Sequence, residues 1–198
     1  DELLGADPGI LAPFVKAVNA RKIVGLRAQT GWSYVHLAHI YARLGDGAAL
    51  QESLTRMIVT CLQPNMLTVH NDWRCQGLSI GKKPKERGTL QLDAIYGAAS
   101  ALQEALVQSS SDRLIVFPAL LPDLLEGEVE GLGTRCGVKV RLKWKARVGG
   151  VVTLTATRET SFELRVAAGT AIRLALSPGE TFSRELQWEE ISDRPITG

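Results

Sequence analysis

The 198-residue chain is poor in the residues that most quickly announce a chemistry. It has three cysteines, Cys61, Cys75 and Cys136. Their odd number and wide spacing argue against a disulfide framework, and a reducing compartment is the simpler expectation. Three histidines and no Cys-x-x-Cys leave no zinc-ligand pattern, so neither a metal nor another cofactor is expected. Long apolar runs are missing too. The longest, residues 114–122, is far too short to cross a bilayer and contains Pro118. An excess of one charge is also absent: 23 Lys and Arg face 21 Asp and Glu, which gives no electrostatic case for a nucleic-acid or membrane-surface partner. There is no Gly-x-Ser-x-Gly, no phosphate-binding glycine loop and no His-Glu-x-x-His. The chain opens on Asp1-Glu2-Leu3-Leu4 with nothing that reads as a signal peptide. It is therefore expected to be a segment of a longer protein. The compartment stays open, with the cytoplasm favoured.

What is present divides into two halves of different periodicity. Hydrophobic residues make up 45% and charged residues 22%, enough for a sizeable core. Residues 1–112 read as helical and residues 113–198 as a β-domain. Residues 10–29 form a first helix, rich in Ala, Lys and Arg. Residues 32–44 form a second, whose apolar members Trp32, Val35, Ala38, Ile40, Tyr41 and Leu44 cover a broad arc. Gly45-Asp46-Gly47 stops it. Residues 48–62 are the clearest helix, with Leu50, Leu54, Met57, Ile58, Cys61 and Leu62 at spacings of three and four. A fourth helix is expected over 93–109, with Ile95, Ala98, Ala99, Leu102, Ala105 and Leu106 facing inward. After the polar break at 109–112 the period changes from 3.6 to 2. Strands are expected over 113–117, 138–144, 151–157, 162–168, 171–176 and 181–188, and they predict an antiparallel β-sandwich.

Four features carry possible chemistry, and each has a plainer reading. The loop over 66–89 is long and has no period, which marks it as functional or disordered. Within it, His70-Asn71-Asp72-Trp73 combines a ring suited to a sugar's apolar face with groups that bond hydroxyls. The plainer reading is local turn bonding by Asn71 and Asp72. Asp93 opens the fourth helix, where a carboxylate serves by default as an N-cap. The run Lys82-Lys83-Pro84-Lys85-Glu86-Arg87 reads as a solvated loop, since no aromatic is interleaved to hold bases. His36 and His39 share a helix face without a third ligand, so they are expected as core histidines rather than a metal site.

Taken in order, Thr30-Gly31-Trp32-Ser33, Ala42-Arg43-Leu44-Gly45-Asp46-Gly47, His70-Asn71-Asp72-Trp73-Arg74 and Gln91-Leu92-Asp93 with Tyr96-Gly97 resemble glycoside hydrolase family 95, the α-L-fucosidase family. So do residues 114–122, Gly127-Glu128-Val129-Glu130-Gly131-Leu132 and 135–144. The resemblance implies the last helices of an (α/α)6 toroid followed by an antiparallel β-sandwich. It implies an inverting hydrolase that releases terminal α-L-fucose or α-L-galactose from oligosaccharides. Asp93 matches the catalytic carboxylate, which in the family polarises two Asn side chains that hold the attacking water. Trp32, His70, Asn71 and Trp73 become expected substrate-binding residues. The family's Glu acid and Asn pair have no counterpart here, so a preceding segment or a second chain is expected to complete the toroid. That partner would cover the Leu50/Leu54/Ile58 stripe, which a partial toroid leaves exposed. Ala94-Ile95 stand where the family usually has Gly-Asn, which favours the alternative of a non-catalytic carbohydrate-binding or structural module.

Overall fold

A computed structural model of the chain describes residues 8–23, 29–77, 88–167, 169 and 171–192. Its helices come first: α1 (Pro8–Ile23), α2 (Gly31–Leu44), α3 (Gly47–Cys61) and α4 (Leu92–Leu106). The remainder of the expected first helix, 24–28, and the basic run at 82–87 lie outside the described residues. The α2–α3 connection is built as its residues dictate. Gly45 adopts the left-handed conformation (φ 74°), and the next residue, Asp46, caps α3 by accepting the backbone N–H of Ala49 at 2.9 Å.

α2 packs against both α3 and α4. Tyr34, Val35, Ala38, Tyr41 and Ala42 of α2 meet Leu50, Leu54 and Met57 of α3 and a row of alanines on α4. That row is Ala94, Ala98, Ala101 and Ala105. The expected inner face of α4 is thereby corrected: Ala99 and Leu102 point outward, and Ile95 and Leu106 are half-buried. Small residues win the inner face because α2 approaches closely there, with Val35 packed directly over Gly97. The expected exposed stripe on α3 is corrected as well. Leu50 and Leu54 are buried within the chain's own core, and only Ile58 faces out, 47% exposed. His36 is exposed and His39 half-buried, so neither is a core histidine.

The fourth helix ends at Leu106, and residues expected to continue it form β1 (Val107–Ser109). Seven strands follow: β2 (Arg113–Val116), β3 (Glu126–Gly133), β4 (Val138–Lys145), β5 (Gly149–Ala156), β6 (Thr160–Val166), β7 (Ile172–Leu176) and β8 (Thr181–Leu186). A short helix, α5 (Trp188–Ile191), replaces the expected end of the last strand. The strands form two four-stranded sheets, ordered β1-β2-β6-β7 and β3-β4-β5-β8. Both sheets contribute to one core, which holds Leu114, Val116, Phe162 and Leu164 from the first and Val140, Leu142, Trp144, Val152 and Leu154 from the second. The pairing is not antiparallel throughout. β2 and β6 run parallel, with Leu114 beside Leu164 and Val116 beside Val166. A parallel pair needs a long crossover between its strands, and here the crossover is the whole β3–β4–β5 meander.

The helices and sheets are joined by specific bonds. Gln108 of β1 donates its amide to the carbonyls of Ala42 at 2.8 Å and Glu104 at 3.0 Å. Gln51 of α3 exchanges two hydrogen bonds with Asp123, at 2.6 and 2.9 Å. The backbone N–H of Phe117 reaches the Leu106 carbonyl at 2.8 Å. No described helix is long and apolar enough to cross a membrane.

Candidate functional site

The expected site residues lie where the C-terminal end of α3 meets the first turns of α2 and α4. α3 stops at Cys61, and the chain reverses through Pro64-Asn65-Met66. Met66 takes a left-handed φ of 65°, and the Asn65 side chain accepts the Leu67 N–H at 3.1 Å. Residues 68–70 then run beside 88–91. The N–H of His70 bonds the Thr89 carbonyl at 2.9 Å, and that of Gln91 bonds the Thr68 carbonyl at 2.9 Å. Val69 and Leu90 form an antiparallel bridge between the two segments. This short ladder hands the chain into α4 and fixes where Asp93 stands.

Gly31 is the point where three helices converge. A side chain there would come within 2.8 Å of the Gln91 side-chain oxygen, 2.9 Å of the Ala94 Cβ and 3.4 Å of the Cys61 Cβ. The same Gln91 oxygen accepts the backbone N–H of Trp32 at 2.8 Å. It satisfies one of the donors that a helix leaves free at its start. The first turns of α2 and α4 are thus tied together, with Asp93 two residues beyond the tie.

Asp93 is exposed in the first turn of α4. The N-cap is Gln91, so the expectation that Asp93 serves as the cap is corrected. As an acid in the first turn it is favoured by the helix dipole. Trp32 is 53% exposed, and its ring stacks on His36 at a centroid distance of 6.0 Å and an interplanar angle of 28°. Its expected place in the apolar arc of α2 is therefore not in the core. Leu90, Leu92 and Tyr96 are also exposed at this corner, 56%, 51% and 69% respectively.

The His70 ring nitrogen Nδ1 pairs with the Asn71 side-chain oxygen at 2.8 Å, and both residues are half-buried. Trp73 is held differently from Trp32. Its Nε1–H donates to the Leu62 carbonyl at 3.0 Å, and the Arg74 guanidinium lies over the ring at 4.6 Å. Arg74 in turn donates to the Val59 carbonyl at 2.6 Å. Each indole therefore has a side chain against one face, and Trp32 is the more exposed of the two. Gln91 ties the start of α2, which carries Trp32, to the start of α4, which carries Asp93, and the His70 backbone bonds Thr89 just before it. Trp73 is anchored on the α3 side.

Two residues here were named within sequence motifs but given no role of their own at the site. Asp72, between Asn71 and Trp73, is fully buried. A carboxylate inside a polar loop gives no sequence sign of burial. Gln91 acts as the tie between two helices, and its position just before a helix was the available signal. Burial raises the Cys61 thiol pKa above its ordinary value, opposed by the Thr60 hydroxyl. Burial likewise lowers the His39 pKa, with the Glu104 carboxylate pulling it back up. Among the described residues no group of three His, Cys, Asp or Glu is gathered to hold a metal. A separate cavity of about 260 Å³ lies at the helix–sheet seam, lined by Gly45, Phe117, Leu120 and Trp188 among others, and it includes none of the expected site residues.

Comparison with known proteins bears on both halves. Residues 108–191 match the model described as "Glycoside hydrolase family 95, C-terminal domain". That match begins on β1, ends at the last residue of α5, and leaves Asp93 outside it. Over 155 residues the chain is 29% identical to "Alpha-L-fucosidase 2" of Arabidopsis thaliana. The alignment takes in 77% of this chain and 17% of that protein, so the chain spans about a sixth of the length of the curated relative.

Proposed function

From the premise that residues 108–191 resemble the C-terminal domain of glycoside hydrolase family 95, we propose that this chain is the C-terminal portion of an inverting glycosidase releasing terminal α-L-fucose or α-L-galactose. In this reading α2, α3 and α4 are closing helices of an (α/α)6 toroid, and the two sheets are its following β-sandwich. The expected division into 1–112 and 113–198 then falls just after β1, which already belongs to the first sheet. The observation that supports the reading is the exposed Asp93, two residues beyond the Gln91–Trp32 bond that ties the first turns of α4 and α2.

An inverting hydrolase needs an acid on the leaving oxygen and a base for water on the opposite face of the sugar. Asp93 supplies the base side by polarising amide side chains that hold the water. Trp32 offers the sugar's apolar face a surface, and His70, Asn71 and Trp73 line the approach. The acid and the amide pair come from polypeptide outside this chain. The exposed Trp32, Leu90, Leu92 and Tyr96 support such a neighbour, because apolar surface gathered at one corner marks an interface.

A second reading is a non-catalytic carbohydrate-binding or structural module. The residues after Asp93 favour it. Ala94 is fully buried against Gly31, so that position serves packing rather than flexibility at the base. The two readings separate in one assay: L-fucose release from a fucosylated oligosaccharide by the protein containing this chain. The first reading expects release by wild type and a fall of about 10²–10⁴-fold in Asp93→Asn. Binding of the sugar without release would leave the module reading, and full activity in Asp93→Asn would remove Asp93 from the reaction.

A further inference from the structure

The outward face of the first sheet carries two arginines, Arg113 and Arg165, each with a buried Nε–H that meets no acceptor among the described residues. The β2–β6 register sets Arg113 beside Glu163 and Ile115 beside Arg165. Leu114, Val116, Leu164 and Val166 point into the core, so strand alternation puts Arg113, Ile115, Glu163 and Arg165 together on the other face. Ile115 is nevertheless only 5% exposed. Arg43, Gln108 and Arg113 surround it at a small cleft that also includes Ser109 and Ser110. Long arginine stems cover apolar surface in this way while the charged heads stay outward. The Nε–H donors of Arg113 and Arg165 are both buried, and among the described residues neither has an acceptor.

Several of the polar groups around them are already engaged. Arg43 pairs with Glu104 at 2.7 Å. The Gln108 amide is taken by backbone carbonyls. Arg173 of β7 donates to the Ser161 hydroxyl at 3.2 Å. Ser110 is hydrogen-bonded to Asp112 at 2.8 Å, and that bond holds the Asp112 carboxyl below its usual range. A buried cationic N–H without an acceptor is costly, and such donors in native proteins usually meet a ligand or water.

We propose that Arg113 and Arg165 form a binding site for a singly charged oxyanion, the carboxylate or sulfate-ester group found on acidic saccharides and shared by small free anions. The planar guanidinium fork matches such a group with two parallel N–H bonds. Arg113 lines the cleft with Ile115, and Arg165 stands beside Ile115 in register; stems held against the sheet in this way lose less entropy when a ligand binds. Glu163 stands in register between Arg113 and Arg173, and its negative charge disfavours a dianion. The site uses none of the residues at the α2–α4 corner, so it stands or falls apart from the role of Asp93.

The test is an NMR titration of the chain that follows the arginine Nε–H signals at constant ionic strength. Sodium D-glucuronate and sodium acetate are the probes, and D-glucose is the neutral control. Saturable shifts of two Nε–H signals are expected with both anions and none with glucose. Glucuronate binding about tenfold or more tighter than acetate identifies an acidic sugar as the source, and equal affinities identify the carboxylate group alone. The double variant Arg113→Gln/Arg165→Gln is expected to weaken binding by about tenfold or more. Because loss of the stems could loosen the cover over Ile115, Arg165→Lys provides a second variant with stem and charge retained. It is expected to keep the wild-type melting temperature and lose several-fold in affinity. Absence of saturable shifts in wild type, or unchanged affinity in the double variant, overturns the site.

Discussion

The side-chain oxygen of Gln91 accepts the backbone N–H of Trp32 at 2.8 Å, across 59 positions of sequence. One bond thereby ties the first turn of α2 to the residue that caps α4. Replacing Gln91 with Ala leaves the Trp32 donor to water and removes the tie. A net intramolecular hydrogen bond contributes about 1 kcal/mol, so Gln91→Ala is expected to lower stability by roughly that amount in urea unfolding. If Asp93 has the role proposed above, the same variant should also reduce L-fucose release by the protein containing this chain, while Asp93 itself is intact.

The α3 face separates this chain's own core from the surface offered to a neighbour. Leu50 is fully buried and Ile58 is 47% exposed on the same helix. Leu50→Ala should cost about 2–5 kcal/mol in the chain. Ile58→Ala should stay within about 0.5 kcal/mol in the chain. If neighbouring toroid helices cover Ile58 in the whole protein, the same substitution there should cost clearly more. Thermal unfolding of both variants in both contexts provides the comparison, and equal costs for Ile58→Ala would argue against a covering helix.

The three thiols should react at different rates. Cys61 and Cys136 are buried and Cys75 is exposed. Burial raises the thiol pKa of Cys61 and of Cys136, opposed by the hydroxyls of Thr60 and Thr134 respectively. Since the thiolate is the nucleophile, a disulfide reagent at mildly alkaline pH should titrate one thiol quickly and the other two only on unfolding. Cys75→Ser should abolish the fast phase. A raised thiol pKa contributes stability that is complete below the unfolded value and is lost as pH rises through the folded one.

His39 gives the opposite pH dependence. Burial holds its pKa below the ordinary 6.5, partly offset by Glu104. The folded state therefore favours the neutral ring. That contribution is present above the unfolded value and is lost as pH falls through the folded one. Between pH 7 and pH 5, His39→Gln should flatten part of the decline in stability seen in wild type, measured as melting temperature against pH. A variant whose decline matches wild type would mean that His39 does not contribute.

What the sequence made legible was wherever burial follows a period. Leu50, Leu54, Met57 and Cys61 are all buried, at the spacings that marked α3 as a helix. In β4 every second residue from Val138 to Trp144 is buried, which matches its strict alternation. β3 gave no such signal. It carries Glu126, Glu128 and Glu130 on one side and Gly127, Val129 and Gly131 among the rest, so its apolar pattern is nearly empty. The reason lies across the sheet, where the Trp144 ring sits so close to Gly127 that a Cβ there would fall within 2.4 Å of it. On α4 the expected Ala98 and Ala105 are buried, but the face is rotated toward Ala94 and Ala101, so Ala99 and Leu102 point outward. Parallel pairing of β2 with β6 has no local trace, since each strand looks the same whichever neighbour it takes. At the candidate site, residue types drew attention to Trp32, His70, Asn71, Trp73 and Asp93. They could not show that Trp73 is covered by Arg74 or that Gln91, rather than Asp93, is the cap.

The order of strands in the two sheets also governs how the β-half is assembled in time. β3, β4 and β5 are joined by neighbouring hairpins and need only short-range closure. The chain then leaves them for β6 and β7 in the other sheet, and returns with β8 to close against β5. β2 must wait for β6, and β5 must wait for β8. Neither sheet is finished until strands of the other have been laid down, and one core joins them. The β-half should therefore fold slowly for its size, as structures dominated by distant pairings do, and lose both sheets in a single transition.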